Sequence, residues 1–319
     1  MSSIDGARVP ACLRCLIAWS CLLLAMAGAR AAEPSVVLVS SELSPAYVEL
    51  ADALVTELER GGVPGSEVRR TTVAELATAE STLPKLYVAL GVRAATALAQ
   101  IGDGVPVLCT LLPRASFERI LLETGRKASS HFSAIYLDQP LSRQLELVRL
   151  TLPRAKRIGV LWGESSVAQQ AALDGAAASR GLRVVSARVG PAEPLFPALR
   201  KVLDESDVLL ALADPQIYHG GTIQNILMTS IRAGIPMVAF SPAYVRAGAL
   251  AAVHVTPAQI GQQAGGLARA VLQGRALPSA PLYSREFEVS VNVPVAHALA
   301  LSLDPVALAA RLRLLERAP

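Results

Sequence analysis

The sequence is short of aromatic and charged residues. Tryptophan, tyrosine and phenylalanine make up 4% of the 319 residues and charged residues 18%, whereas 52% are hydrophobic. So much apolar material with so little charge excludes a disordered chain. The shortage of aromatics beside abundant alanine, valine and leucine favours alanine-rich helices packed on Val/Leu strands over an all-β sandwich. We therefore expect an α/β fold.

Long apolar runs are also scarce, and the longest lies near the N-terminus. Arg8 and Arg14 precede the apolar stretch 15–27, and the motif Ala-Arg-Ala at 29–31 resembles a signal-peptide cleavage site. This pattern predicts a cleavable signal peptide over residues 1–32 and export to the periplasm. Later apolar runs are far too short to span a bilayer, so we expect a mature chain without a membrane span.

Cysteine and histidine are too few for a disulfide framework or a metal site. Three of the four cysteines lie inside the predicted signal peptide, so only Cys109 remains and it can form no internal disulfide. The histidines match no H-x-x-x-H pattern, so we expect neither a metal nor another cofactor. They are His131, His219, His254 and His297.

Basic clusters are absent as well. The net charge of +4 falls to +2 when the three arginines and one aspartate of residues 1–32 are removed. No Lys/Arg cluster or basic stripe with interleaved aromatics remains, so we expect no nucleic-acid partner. P-loop and G-x-G-x-x-G motifs are also missing, which argues against nucleotide-driven chemistry.

The sequence does contain a regular alternation of strand and helix signals. Short Val/Leu/Ile runs lead through a small or polar residue into stretches of helical period. The first unit has a strand at 35–39, an N-cap at Ser44 followed by Pro45, and a glycine stop at 61–62. Such units imply right-handed crossovers and mainly parallel sheets.

Two sets of these units predict two doubly wound parallel-sheet lobes joined by a hinge. The first set ends at the Asp-Gln-Pro turn of residues 138–140, where a helix opens towards a new strand. We therefore predict that the first lobe starts with residues 33–139 and that the second lobe starts at residue 140.

Seven motifs between residues 156 and 304 carry a family resemblance through their order and spacing. They are RIGVLW (157–162), DVLLALAD (207–214), AGIPMV (233–238), SPAYVRAGAL (241–250), GQ (261–262), VLQG (271–274) and VNVPVA (291–296). This part resembles the ABC transporter substrate-binding protein family, whose better-known members bind tryptophan or other aromatic amino acids. In the first lobe, Leu90-Gly91 resembles the glycine turn of that family. The sequence Leu-Leu-Pro at 111–113 departs from the polar turn usual there, so the ligand is not inherited.

The resemblance implies a type I periplasmic-binding-protein fold whose lobes close on a ligand by a hinge motion. It implies that the chain returns to the first lobe near Gly248 and crosses back through residues 276–281. The lobes would then consist of residues 33–139 and 248–275 and of residues 140–247 and 276–292, followed by a helical tail of residues 293–319. It also implies a periplasmic solute-binding component of an ABC importer, without enzymatic activity. Such a protein binds a small molecule, with an amino acid as one candidate, in the cleft between its lobes. Its partners are an ABC permease and its ATPase in the inner membrane.

Ligands of open α/β sheets bind beyond the carboxyl ends of the strands, which selects the candidate ligand-binding residues. We expect Ser40 and Ser41, next to a helix N-terminus, to bind a carboxylate and the strand-end carboxylate of Asp214 to pair with an amine. Plain turns are the alternative for both, a surface position is the alternative for Arg93, and Phe240 is expected in the core. The full set is Ser40, Ser41, Gly91, Arg93, Thr110, Asp138, Glu164, Ser165, Asp214, Ser241 and Tyr244.

Two other functions are compatible with parts of the sequence. Ser165, Asp214 and His254 occur in the Ser, Asp, His order of α/β-hydrolases, but Val167 occupies the last glycine position of G-x-S-x-G, so a serine hydrolase is the weaker alternative. A periplasmic ligand sensor or assembly partner would have the same fold as an importer component. The residues do not separate the sensor from the importer.

Overall fold

The computed structural model describes residues 34–76, 83–101, 104–191 and 193–317. The predicted signal peptide lies outside these residues. The strands of the described part form two six-stranded sheets. We call each sheet, with the helices packed on it, a lobe. The prediction of two α/β lobes with mainly parallel sheets is confirmed.

The first sheet is parallel throughout. It consists of β1 (Val36–Ser40), β2 (Val68–Thr72), β3 (Leu86–Leu90), β4 (Val107–Leu112), β5 (Phe132–Tyr136) and β11 (Leu282–Tyr283). Their order in space is β2-β1-β3-β4-β5-β11. The central strands are apolar and buried along almost their whole length, as expected for a parallel sheet covered on both faces.

The second sheet repeats this topology with one antiparallel edge strand. It consists of β6 (Arg157–Trp162), β7 (Arg183–Arg188), β8 (Val208–Leu210), β9 (Met237–Ala239), β10 (Ala251–His254) and β12 (Glu288–Val291). The order is β7-β6-β8-β9-β10-β12, and β12 runs antiparallel to β10. The strand order therefore reverses between β1 and β3 in the first sheet and between β6 and β8 in the second.

Helices cover both faces of each sheet. Those of the first lobe are α1 (Pro45–Arg60), α2 (Val73–Leu76), α3 (Val92–Ala99), α4 (Arg114–Thr124) and α10 (Pro257–Leu272). Those of the second lobe are α5 (Leu141–Thr151), α6 (Gln170–Ala178), α7 (Leu195–Glu205), α8 (Ile223–Arg232), α9 (Pro242–Ala247), α11 (Val293–Ala298) and α12 (Pro305–Arg317).

Helix α10 reaches the first lobe through a close helix pair with α1. A Cβ atom at Gly261 would overlap the carbonyl oxygen of Leu50, and one at Gly265 would lie 2.9 Å from the carbonyl oxygen of Leu54. Both positions therefore need glycine for the two backbones to approach. Ile260 and Ala264 of α10 are buried in the same apolar core as α1.

Two chain crossings differ from the sequence prediction. The predicted return near Gly248 is wrong for β10, because β10 pairs with β9 and β12 in the second sheet. The chain crosses between His254 and Pro257. The predicted crossing at 276–281 lies too early, because β11 at Leu282–Tyr283 still pairs with β5 in the first sheet. That crossing falls between β11 and β12.

The segment 293–319 was predicted as a separate helical tail, but its described part packs within the second lobe. Leu308 and Leu312 of α12 are buried in the core formed by α5 and β6. The chain thus changes lobe in three hinge segments, at residues 137–140, 255–256 and 284–287.

Candidate functional site

A cavity of about 260 Å³ lies between the two lobes, beside the hinge segments. We call it the inter-lobe cavity. The first lobe and the first hinge segment contribute Pro113, Leu137, Asp138 and Gln139, and α5 contributes Gln144. The second lobe contributes Ala213, Phe240, Ser241, Pro242 and His254, and the second hinge segment contributes Val255. Most of these residues follow the carboxyl ends of strands, where ligands of such sheets bind.

Asp138 and Ser241 are the two predicted residues that line this cavity. The Asp138 carboxylate accepts a hydrogen bond from the backbone N–H of Arg114 at the start of α4. Burial raises the pKa of the Asp138 carboxyl above its usual value, although the charge of Arg114 lowers it. Ser241 Oγ accepts a hydrogen bond from Ala243 N at 3.2 Å and caps α9.

Ser41 and Gly91, predicted at the strand-order reversal of the first lobe, are in contact. Ser41 Oγ donates to Leu90 O at 2.8 Å and accepts from Ala94 N at 3.0 Å, so it caps α3. Gly91 has φ +87°, and a Cβ there would collide with Tyr47 Oη. The Ser41 hydroxyl, expected to bind a carboxylate, therefore binds the backbone of its own lobe.

The other three first-lobe candidates do not line the inter-lobe cavity. Thr110 Oγ1 is fully buried and donates to Ala89 O at 2.9 Å. Arg93 is exposed on α3, as its surface alternative predicts. Ser40 lines a separate cavity of about 200 Å³ beside Tyr47 and Arg70, which involves the first lobe alone.

Asp214 lies against Gly163 at the strand-order reversal of the second lobe. A Cβ at Gly163 would be 2.5 Å from Asp214 Oδ2. Asp214 is 1% exposed, and its Oδ1 accepts from Gln216 N at 3.0 Å. Its Oδ2 has no hydrogen-bond partner within the described ranges. Asp214 does not line the inter-lobe cavity, although the preceding Ala213 does. A buried carboxylate oxygen left without a partner is costly, so an added donor would stabilise it.

Ser165 makes a hydrogen bond across the cleft. Arg119 of α4, in the first lobe, donates from Nη2 to Ser165 Oγ at 3.0 Å. Glu164 is exposed beside it, and its backbone N–H donates to Gln216 Oε1 at 3.0 Å. The turn after β6 therefore connects the first lobe with the loop that carries Asp214.

Tyr244 belongs to an aromatic cluster at the edge of the second core. Its hydroxyl donates to Tyr218 O at 2.9 Å, and its ring meets Phe240 edge-on at 5.1 Å between centroids. Phe240 was expected in the core; it packs against the core of the second lobe while partly buried, and it is also one of the residues that line the inter-lobe cavity. Burial raises the pKa of the Tyr218 hydroxyl, which has no partner in the described part of the chain.

The serine, aspartate and histidine considered for a hydrolase each have other partners. Ser165 is bonded to Arg119 and Asp214 to Gln216, while His254 Nε2 lies 2.9 Å from Ser290 Oγ. Burial lowers the pKa of His254, so its imidazole is neutral at pH 7.

Sequence reasoning missed two glutamines of the inter-lobe cavity, Gln139 and Gln144. Both are at least 95% buried. Gln139 directly follows Asp138, so the rule that selected Asp138 could have selected it too. Gln144 lies in α5, and nothing local distinguishes it from a surface glutamine.

The described residues contain neither a cluster of metal-binding side chains nor a helix that could span a membrane. No three or more His, Cys, Asp or Glu side chains are grouped so that they could hold a metal ion. No helix in the described ranges has the length and apolar character needed to cross a membrane.

The sequence matches one family model, described as ABC transporter substrate binding protein, over residues 66–307. A curated relative, the tyrosine-binding protein of Clostridioides difficile strain R20291, is 25% identical over 221 residues. That match covers 67% of this chain and 62% of the relative, so the chain spans less than two thirds of the relative's length.

Three solved structures share the fold at low sequence identity. The ligand-free, open structure of a substrate binding protein with adhesive properties from Clostridium difficile has a TM-score of 0.66 and 20% identity, covering 84% of this chain and 95% of that one. A conserved domain protein from Vibrio cholerae has a TM-score of 0.60 and 21% identity, with coverage of 87% and 98%. An ABC domain in complex with L-Trp from Streptococcus pneumonia has a TM-score of 0.58 and 17% identity, with coverage of 86% and 97%.

Proposed function

Because this chain belongs to the family of ABC transporter substrate binding proteins, we propose that it binds a small molecule in the inter-lobe cavity and delivers it to an ABC importer. The observation that carries the proposal is the position of the cavity, between the carboxyl ends of strands from both lobes. A ligand there would contact both lobes at once. The partners would be a permease and its ATPase in the membrane.

We propose an aromatic amino acid as the ligand, with L-tyrosine as the first candidate. The name of the C. difficile relative and the L-Trp complex of the structural neighbour support this class. The ring of Phe240 offers an apolar wall, while Asp138, Ser241 and the two glutamines offer polar partners. A mix of apolar wall and few polar groups is typical of small-molecule sites.

Transport requires binding and lobe closure but no covalent chemistry. A ligand that contacts both lobes has a higher affinity for the closed state and shifts the protein towards it. The hydrogen bond from Arg119 to Ser165 is available only when the lobes approach, so it would stabilise the same state. The closed form would then be the one that docks on the permease.

The chain would act in the periplasm after removal of residues 1–32. Expression of the full sequence, followed by N-terminal sequencing of the protein released from the periplasm, would locate the cleavage. A chain that stays in the cytoplasm or keeps its first 32 residues would contradict this part of the proposal.

Binding is tested by thermal unfolding of the periplasmic protein with L-tyrosine, L-tryptophan, other amino acids, nucleosides and sugars. A ligand at 100 times its dissociation constant stabilises the folded state by about 2.7 kcal/mol, which raises the unfolding midpoint by several degrees. We expect the largest shift with an aromatic amino acid. A shift with sugars alone would contradict the ligand class, and no shift with any compound would contradict the function.

A further inference from the structure

Two buried amides in the inter-lobe cavity each have one atom without a partner. Gln139 is 4% exposed and Gln144 is 5% exposed, and both residues line the cavity. Over the residues that the structure describes, Gln139 Nε2 and Gln144 Oε1 make no hydrogen bond. Buried polar atoms are rarely left in this state, so these two atoms call for an external partner.

The neighbours of each amide decide which atom is left over. Arg143 Nη1 donates to Gln139 Oε1 at 2.5 Å, and a guanidinium has no acceptor, so Gln139 must turn its oxygen towards Arg143. Its free atom is therefore a donor. Gln144 Nε2 donates to the backbone oxygen of Gln139 at 3.0 Å, which can only accept. The free atom of Gln144 is therefore an acceptor.

Arg143 is itself fixed from several sides. It is 5% exposed, and it donates to both carboxylate oxygens of Glu316 in α12 and to Ser284 O of the third hinge segment. Its guanidinium also stacks on the ring of Phe287, 4.0 Å from the centroid. A guanidinium held in this way cannot follow a rotation of the Gln139 amide, so it keeps the orientation of that amide.

We propose that Gln139 and Gln144 recognise the head group of an α-amino acid, with Gln139 Nε2 donating to its carboxylate and Gln144 Oε1 accepting from its ammonium group. This inference rests on the proposed function, since it assigns the head group of the ligand in the same cavity. Arg143 is a positioning residue, which acts on the ligand through the amide of Gln139.

The test compares three probes that differ only in the head group. L-tyrosine has both groups, tyramine lacks the carboxylate, and 3-(4-hydroxyphenyl)propanoate lacks the amine. Affinities are measured by calorimetry for the wild type, Gln139→Met and Gln144→Met. We expect Gln139→Met to weaken the binding of L-tyrosine and of the propanoate about tenfold and to leave the affinity for tyramine unchanged. Gln144→Met should weaken the binding of L-tyrosine and of tyramine about tenfold and leave the affinity for the propanoate unchanged.

Two further variants examine the positioning role and keep the test valid if a methionine variant folds poorly. Arg143→Met should reproduce the ligand pattern of Gln139→Met, which a general loss of stability would not do. Gln139→Glu keeps a partner for Arg143 but replaces the donor with an acceptor. This variant should weaken the binding of the propanoate more than Gln139→Met does, and it should strengthen the binding of tyramine.

Gln263→Met is the matched control. The Gln263 amide donates to Tyr283 O at 3.4 Å and accepts from Arg285 N at 3.0 Å, and it does not line the inter-lobe cavity. It should lower stability without changing any affinity. If the wild type binds L-tyrosine and the glutamine variants weaken all three probes equally or none, the inference fails and the proposed function stands. If the wild type binds no amino acid, the inference fails together with the proposed ligand class, and the solute-binding function fails only if no compound binds.

Discussion

The two lobes share one strand order, yet they use the point where that order reverses in different ways. In the first lobe, Ser41 lies at this point, and its hydroxyl donates to the backbone oxygen of Leu90 and accepts from the backbone N–H of Ala94. In the second lobe, Asp214 lies against Gly163, and one of its buried oxygens has no partner among the described residues. The same topology thus leaves the hydroxyl of Ser41 fully bonded in one lobe and a buried carboxylate oxygen of Asp214 without a partner from the described residues in the other.

The largest expected effect concerns the reversal point of the first lobe. Gly91→Ala would place a Cβ against Tyr47 Oη at φ +87°, a conformation that only glycine adopts readily. We expect a loss of about 3 kcal/mol in the free energy of unfolding, from backbone strain and overpacking together. Urea unfolding of the periplasmic protein measures it.

Gly62→Ala separates the two causes of that loss. Gly62 has φ +84° but no atom within 4 Å of its added Cβ, so it has the strain without the collision. We expect this variant to lower the free energy of unfolding by about 1 kcal/mol. Equal losses for Gly62→Ala and Gly91→Ala would mean that the contact with Tyr47 does not matter.

The next prediction compares substitutions of Ser41 and Asp214, the residues at the two reversal points. Ser41→Ala removes a helix cap and should lower the free energy of unfolding by about 1 kcal/mol, with no change in ligand affinity. Asp214→Asn keeps an oxygen for Gln216 N but removes the unpaired carboxylate oxygen, so it should weaken the binding of L-tyrosine about tenfold without lowering the free energy of unfolding. Calorimetry and urea unfolding on both variants give the two readouts. If Ser41→Ala weakens binding as much as Asp214→Asn does, the two reversal points contribute equally to ligand binding and the proposed difference between them is wrong.

The sequence predicted the lobes and their strands well because these depend on local patterns. Strand apolarity, proline at helix starts and glycine at helix ends all act within a few residues. It also predicted Asp214 at the end of a buried apolar run; in the structure β8 ends at Leu210, and Asp214 lies buried four residues later. Whether that carboxylate binds a ligand is a separate question, which the variant above addresses.

The predictions that differ from the structure concern features that depend on contacts between residues distant in the sequence. The Ser41 hydroxyl caps a helix that begins about fifty residues later, which no local pattern records. The sheet to which β10 belongs is decided by its pairing with β9 and β12, and an isolated apolar run fits either sheet. Gln144 acquires its role only through a bond to the backbone of Gln139.

A smaller effect concerns the cavity carboxylate of the first lobe, Asp138. Burial raises the pKa of this carboxyl above its usual value of 3.8, so the folded state holds the proton more tightly than the unfolded state does. The stabilisation from this group is therefore complete below pH 3.8 and is lost as the pH rises through the raised pKa. Asp138→Asn should flatten that part of the stability profile, measured by urea unfolding from pH 3 to pH 7. An unchanged profile would show that Asp138 is not the responsible group.

The smallest effect concerns the bond that joins the lobes, from Arg119 to Ser165. Arg119 is exposed, so its hydrogen bond competes with water and contributes less than about 1 kcal/mol. Arg119→Ala should raise the dissociation rate of L-tyrosine two- to threefold, or about 0.5 kcal/mol, and leave the free energy of unfolding unchanged. Trp162, the single tryptophan after residue 32, lies next to Gly163 and can report the rate by stopped-flow fluorescence excited at a wavelength where tyrosine does not absorb. Ser165→Ala should have the same effect, and the double variant should add nothing, since both remove one bond. Additive effects would show that Arg119 and Ser165 act separately, and the lobes would then close without this contact.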